Sequence, residues 1–314
     1  MKVRVAALAA LSVLLPAACT GDPPAAPDRL VIAAGGPGEV HAALGEALAQ
    51  AARDAWSAQV DVVATSGSVH NLQLVAEGRA DVGFATVDVA DLAVTGQPPF
   101  ATAVPIRALA RLYDDYLQVV TLASSGIDEL AELADRRVSV GPEKSGTPIM
   151  ADRLARAAGV TLTNPSDHSP RTSAAALAAG EIDAFVVAGG LPTPVVAELA
   201  ATVPVRLLSF PELVADLQAQ SGQYYQPGSI PAGSYPGVDQ EVATVTVANV
   251  LVVRRDLPED YAYRLTELLF DAKPELVAAH QEARRLDHRS AVATHPVPLH
   301  PGAERYYRAE KPFT

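Results

Sequence analysis

The chain has 314 residues, 49% of them hydrophobic and 19% charged, with a formal net charge of −12 and a single cysteine. That length holds two domains of ordinary size and buries a sizeable core, and the composition excludes fibrous and disordered classes. The acidic balance argues against nucleic acid as a partner, and one cysteine leaves nothing for a disulfide framework or a thiolate metal cluster.

Lys2 and Arg4 precede an apolar run over residues 5–15 and then the segment Pro-Ala-Ala-Cys at 16–19. This is the order of charged, apolar and small-residue regions in a secretory signal, and the run is too short to span a bilayer as a helix. The reading predicts a signal peptide over 1–18 and export across the cytoplasmic membrane. Cys19 at the cleavage point resembles the lipobox cysteine of bacterial lipoproteins, which implies lipidation there and a body anchored at the extracytoplasmic face; Pro16 stands where that motif usually has Leu. Residues 19–28 then read as the lipidated cysteine and a Pro/Ala-rich tether, which at about 3 Å per residue reaches about 28 Å.

Residues 30–34 are apolar and run into Gly35-Gly36-Pro37-Gly38, after which Val40, Ala43, Leu44, Ala47, Leu48 and Ala51 recur at helical spacing. A second strand is predicted over 60–64, a turn at 65–68, a helix over 69–77 ended by Gly78, and a third strand over 82–85 introduced by Asp81. About a hundred residues later the plan returns: strand 137–140, the loop GPEKSGT at 141–147, a helix over roughly 149–158, a helix over 172–179 ended by Gly180, and strand 184–187 introduced by Asp183. The phrases Gly-Arg-Ala-Asp at 78–81 and Gly-Glu-Ile-Asp at 180–183 hold corresponding places. The duplication predicts two similar α/β lobes around a cleft. Residues 117–122 and 242–253 are β-rich crossover strands, the expected hinge of such a protein, and residues 258–279 read as one long amphipathic helix. The lobes are then 29–118 plus 248–314, which is discontinuous, and 119–247.

Three loops open helices, at 35–39, 65–68 and 141–147. Helix N-termini expose unpaired N–H groups and a partial positive end, so converging ones hold a small carboxylate without a basic side chain. Ser66, Ser68, Asn71, Ser145 and Thr147 are placed to add contacts; taken singly, each is explained as well by helix capping. Nucleotide motifs fail on order: Lys144 precedes Ser145-Gly146-Thr147, whereas a phosphate loop needs Gly-Lys-Ser/Thr at the helix start. Lys144-Ser145-Gly146 matches a β-lactamase element, but no Ser-x-x-Lys supplies its nucleophile. No Gly-x-Ser-x-Gly elbow and no His-Glu-x-x-His pair is present, so no catalytic residue, metal site or cofactor is expected and the chain does not read as an enzyme. His295 and His300 read as loop-packing residues, Asp81 and Asp183 as strand-entry residues, and Tyr224 and Tyr225 as either core or cleft rim.

These motifs carry a family resemblance. Residues 67–90 (GSVHNLQLVAEGRADVGFATVDVA), 139–147 (SVGPEKSGT), 230–237 (IPAGSYPG) and 299–308 (LHPGAERYYR) together resemble the TAXI-type solute-binding proteins of tripartite ATP-independent periplasmic (TRAP) transporters. The resemblance implies a two-lobed periplasmic-binding-protein fold, type II-like. It implies a receptor that captures a small organic anion, an amino acid such as glutamate or a dicarboxylate, and delivers it to TRAP permease subunits in the membrane. It also implies a ligand set of Gly36, Gly38, His41, Ser66, Ser68, Asn71, Asp88, Ser145, Gly146 and Thr147. Two positions depart from the family pattern. His41 stands where Tyr is usual, which retunes the ligand choice, makes binding pH-sensitive near its ordinary pKa of about 6.5, or leaves a solvent-facing helix residue, and Glu39 stands where Gly is frequent and would repel an anion if it pointed inward. The alternative function is a lipid-anchored ligand-sensing or scaffold protein using the same fold without transport.

Overall fold

The computed structural model describes residues 27–310; the expected signal peptide, Cys19 and most of the tether lie outside them. The first strands and helices come in the order β1 (Arg29–Ala33), α1 (Val40–Trp56), β2 (Gln59–Val63), α2 (Ser68–Ala76) and β3 (Val82–Thr86). β1 lies parallel to β2 on one side and to β3 on the other. Next come α3 (Val87–Thr95), the 17-residue β4 (Ile106–Leu122), β5 (Val138–Ser139), α4 (Thr147–Ala157), α5 (Pro170–Ala178) and β6 (Ala184–Gly189), with β5 parallel to β6. The chain continues through α6 (Pro194–Ala200), β7 (Val205–Leu207), α7 (Val214–Ser221), β8 (Tyr225–Ile230) and the 13-residue β9 (Val242–Arg254). It closes with α8 (Glu259–Asp271), α9 (Lys273–Ala279), α10 (His288–Ala291) and α11 (Pro301–Ala309). No helix among the described residues is long and apolar enough to cross a membrane.

The strands lie in the order β2–β1–β3–β9–β4–β6–β5, with β7 on β4 and β8 on β9. β4 and β9 are antiparallel to each other and belong to both halves. β9 pairs with β8 through its first residues and with β3 through its last; β4 pairs with β9 along its first part and with β6 and β7 from Tyr116 onward. Two long strands thus join two α/β lobes, as the fold expectation required.

The duplication has a hydrogen-bond basis. Asp81 Oδ2 accepts the Val31 N–H at 2.8 Å, and Asp183 Oδ2 accepts the Arg137 N–H at 2.9 Å. In each lobe an aspartate that follows a helix ending on a left-handed glycine, Gly78 or Gly180, closes the entry of a neighbouring strand. Both glycines occupy φ near +70°, so the motif needs Gly for its backbone and Asp for its acceptor.

Three apolar clusters make the core. One packs α1, α8 and α11 on the first lobe through Leu44, Leu48, Leu265 and Tyr306; another fills the second lobe through Leu177, Phe185, Val196 and Leu199. The third runs from Leu72, Val89 and Ala90 of the first lobe to Met150, Leu154, Leu217 and Tyr225 of the second. The lobes therefore meet over a continuous apolar seam, each fully buried aliphatic or aromatic side chain contributing about 1.5–3 kcal/mol.

The structure corrects three expectations. The long helix over 258–279 is two, α8 and α9, broken at Ala272: Pro274 has no N–H for the carbonyl of Phe270, and its ring clashes with that carbonyl. The strand expected over 137–140 shrinks to two residues, because Val140 N–H pairs with Ser166 O at 2.9 Å outside the sheet. α3, which follows β3 without a turn, was not expected.

Candidate functional site

A cavity of about 240 Å³ lies between the lobes, lined by residues of both. Its size is at the small end for ligand sites. From the first lobe come Gly36–His41, Ser66–Ser68, Thr86, Tyr113 and Asp115; from the second come Pro142, Ser145–Thr147, Met150, Ser169–Arg171, Val187–Gly189 and Thr193–Val195.

Among the helices whose N-termini reach this space are α1 behind Glu39, α2 behind Gly67 and α4 behind Gly146, with the starts of α5 and α6 also in the lining. The N-caps of α1, α2 and α4 supply no side-chain hydrogen bond, so their first-turn amides are left without a side-chain cap, and of these the His70 N–H of α2 is taken by a backbone carbonyl. Ser169, in the same lining, does cap α5 by accepting the Thr172 N–H, the ordinary arrangement. Glycine permits the close approach of the lobes: Gly67 has φ +125°, and a Cβ there would sit 3.1 Å from the Ser145 Cβ across the cleft. Beside it His70 N–H donates to Lys144 O at 3.0 Å, another bond between lobes.

Eight of the expected ligand residues, Gly36, Gly38, His41, Ser66, Ser68, Ser145, Gly146 and Thr147, line the cavity. Asn71 and Asp88 do not. Asn71 is fully buried, its Oδ1 accepting from the Thr65 hydroxyl at 2.6 Å and its Nδ2 donating to Phe84 O at 2.8 Å, so both ends are spent on holding the 65–68 turn to β3. Asp88, also fully buried, accepts from Arg153 at 2.8 Å and from the Tyr225 hydroxyl at 2.7 Å. It joins α3 to α4 and β8, away from the cavity lining. Tyr225 is accordingly a core residue, and His300 caps α11 by accepting the Gly302 N–H.

His41 is not solvent-facing. It is 8% exposed, stacks on Phe84 with centroids 5.2 Å apart, and its Nε2–H donates to Asn249 Oδ1 at 2.7 Å. Burial lowers its pKa to about 4, the Asn249 contact opposing, so the ring is neutral at physiological pH. Glu39 lines the cavity, and its Oε2 accepts the Gly36 N–H at 3.0 Å. Burial raises it to about 7, so part of the repulsion expected from an inward glutamate is removed by a proton.

Reasoning from residues missed Thr86, Tyr113, Asp115 and Arg171. Arg171, in the first turn of α5, is the only basic residue of the lining among the described residues; its guanidinium meets Glu198 at 3.4 Å and stays largely exposed. Asp115 is 6% exposed, and burial, reinforced by Glu39, Asp114 and Glu282 and opposed by the Asn249 amide, pushes it up to about 8. The visible signal was the adjacent pair Asp114-Asp115 inside a β-rich run. Among the described residues no group of three His, Cys, Asp or Glu side chains is placed to hold a metal ion.

The architecture is shared with periplasmic binding proteins. The malate-bound MatC of Rhodopseudomonas palustris superposes with a TM-score of 0.56 at 14% identity, covering 91% of this chain and 100% of that one. The periplasmic aliphatic sulphonate binding protein SsuA of Escherichia coli gives 0.53 at 15% identity, covering 91% and 84%. At such identities the likeness establishes the two-lobed fold, and these neighbours are binding proteins. Residues 32–310, nearly the whole described body, match a single family description, and on that match the chain belongs to the NMT1-like family.

Proposed function

We propose that this protein is an extracytoplasmic solute-binding receptor, of the TAXI type, that captures a small organic anion between its lobes and delivers it to a TRAP permease. Lipid on Cys19 holds it at the membrane. The lobes are 29–118 with 248–314, and 119–247, and they rotate about β4 and β9. The observation that carries the reading is the interlobe cavity onto which α1, α2 and α4 open N-termini that no side chain caps. Each terminus contributes about 0.3–1 kcal/mol toward an anion, while micromolar affinity needs about −8 kcal/mol. The hydroxyls of Ser66, Ser68 and Thr147, the Arg171 guanidinium and the closing of the lobes supply the remainder, the Ser145 hydroxyl being donated to Pro142 O.

The test is the melting temperature of the full chain, purified in detergent, against amino acids, dicarboxylates and other small organic acids. A ligand at a hundred times its dissociation constant adds about 2.7 kcal/mol, a rise of about 5–10 °C for a body of this size. The expected result is such a rise with an acidic ligand that is recovered chemically unchanged. No rise with any organic acid overturns the receptor reading, and turnover of the ligand overturns the non-enzymatic one.

A further inference from the structure

Asp115 is a buried carboxyl with no cation. Its Oδ1 has no hydrogen-bond partner within normal geometry, and neither does Thr86 Oγ1, 2% exposed and in the same cavity wall; the neighbour that favours its charged form, the Asn249 amide, is itself uncharged. The charged groups acting on Asp115 are Glu39 at the start of α1, Asp114 beside it on β4, and Glu282 in the turn after α9, all acids. Asp114 is held by Arg111 and Glu282 by Arg285 at 2.6 Å. His41 on α1 is committed to Asn249, Tyr113 shares the β4 face, and Arg171 on α5 is drawn outward to Glu198. A carboxylate desolvated among carboxylates needs a compensating positive charge, and the guanidinium of the lining, Arg171, is paired with Glu198 instead.

We propose that Asp115 selects the ligand by receiving a protonated amine, so that the bound molecule carries an ammonium group at the Asp115 wall as well as an acid group at the helix N-termini. This rests on the receptor reading above and narrows it: a dicarboxylate would set its second carboxylate against Asp115 and Glu39. In the empty cavity a proton substitutes for the missing cation, consistent with the upward shift of Asp115. The arriving ammonium displaces it, and the proton leaves to solvent.

Calorimetry on the full chain in detergent at pH 7, in two buffers of different ionisation enthalpy, tests this with matched pairs: an amino acid and the same carbon skeleton lacking the amine, such as L-glutamate with glutarate and L-alanine with propionate. The amine-bearing member of a pair is expected to bind about tenfold or more tightly, as a hydrogen bond to a charged group implies, with release of up to about one proton. Asp115→Asn is expected to abolish that discrimination and the proton release, while the empty variant melts at pH 8 no lower than wild type, which shows that it folds. Equal binding of the deaminated acids, or discrimination that survives in Asp115→Asn, overturns the inference and leaves the receptor reading standing. Failure of every acid to bind overturns both.

Discussion

Replacing Asp88 by alanine is expected to lower the stability of the folded chain by about 3–5 kcal/mol, the usual cost of removing one partner from a buried ion pair. For a body of this size that corresponds to about 10 °C in melting temperature. Asp88 Oδ2 takes hydrogen bonds from both Arg153 and the Tyr225 hydroxyl, which are themselves 3.0 Å apart, and the Arg153 guanidinium lies 5.8 Å from the Tyr225 ring centre. Alanine strands a guanidinium that is only 13% exposed and a buried phenol together. The exposed pair Arg79–Glu77 is the control, since truncating either of its residues should cost under about 1 kcal/mol. Asp88→Asn keeps an acceptor for Tyr225 and should fall between. Denaturant unfolding decides the matter: a loss below about 1 kcal/mol for Asp88→Ala would mean that the triad is not held as described. Because the triad crosses from α3 to α4 and β8, the same variant should leave the empty protein more open, read as a larger radius of gyration in small-angle scattering.

This role for Asp88 was hidden from the sequence, where the family resemblance put it among the ligand contacts. The paired partners lie 65 and 137 positions away, and no local pattern announces them. What was legible is what local rules govern. Glycine after an amphipathic run marks a helix end, apolar alternation marks a strand, and the repeated Gly-x-x-Asp therefore located corresponding strands in both lobes. The cleft loops were legible for the same reason, since glycine and hydroxyl residues cluster where helices begin. Tyr113 and Asp115 were not, because they reach the cavity from the middle of β4. There the register against β9 slips between Ala108 and Ala110 and again between Arg111 and Asp114. Each one-residue slip exchanges the faces of a strand, so alternation read along 106–122 does not say which side chains face the cleft. Asn71 shows the converse: its position in a loop-helix motif was correctly noticed, but the demand for it comes from Thr65 and the Phe84 carbonyl rather than from the cavity.

Acid should weaken this protein through His41, and the His41→Gln variant should be spared. The folded ring is held near pKa 4 by burial, against about 6.5 in the unfolded chain. A base whose folded pKa is depressed binds fewer protons when folded, so its stabilising contribution is complete above pH 6.5 and is lost as pH falls through that value toward 4. The difference corresponds to about 3 kcal/mol at 1.36 kcal/mol per unit. Glu39 and Asp115 act in the opposite sense: their folded pKa values are raised to about 7 and about 8, so their contribution is present at low pH and is lost as pH rises toward those values. The wild-type profile is a sum of opposed terms, and the informative quantity is the difference between wild type and variant. Glutamine keeps a donor within reach of Asn249 Oδ1 but does not titrate. Relative to wild type, His41→Gln should gain about 3 kcal/mol between pH 7 and pH 4, whatever its stability at neutral pH. Urea unfolding of both chains at four or five pH values measures that gain, and parallel pH curves would show that His41 is not the buried, neutral ring that the stack on Phe84 and the bond to Asn249 require.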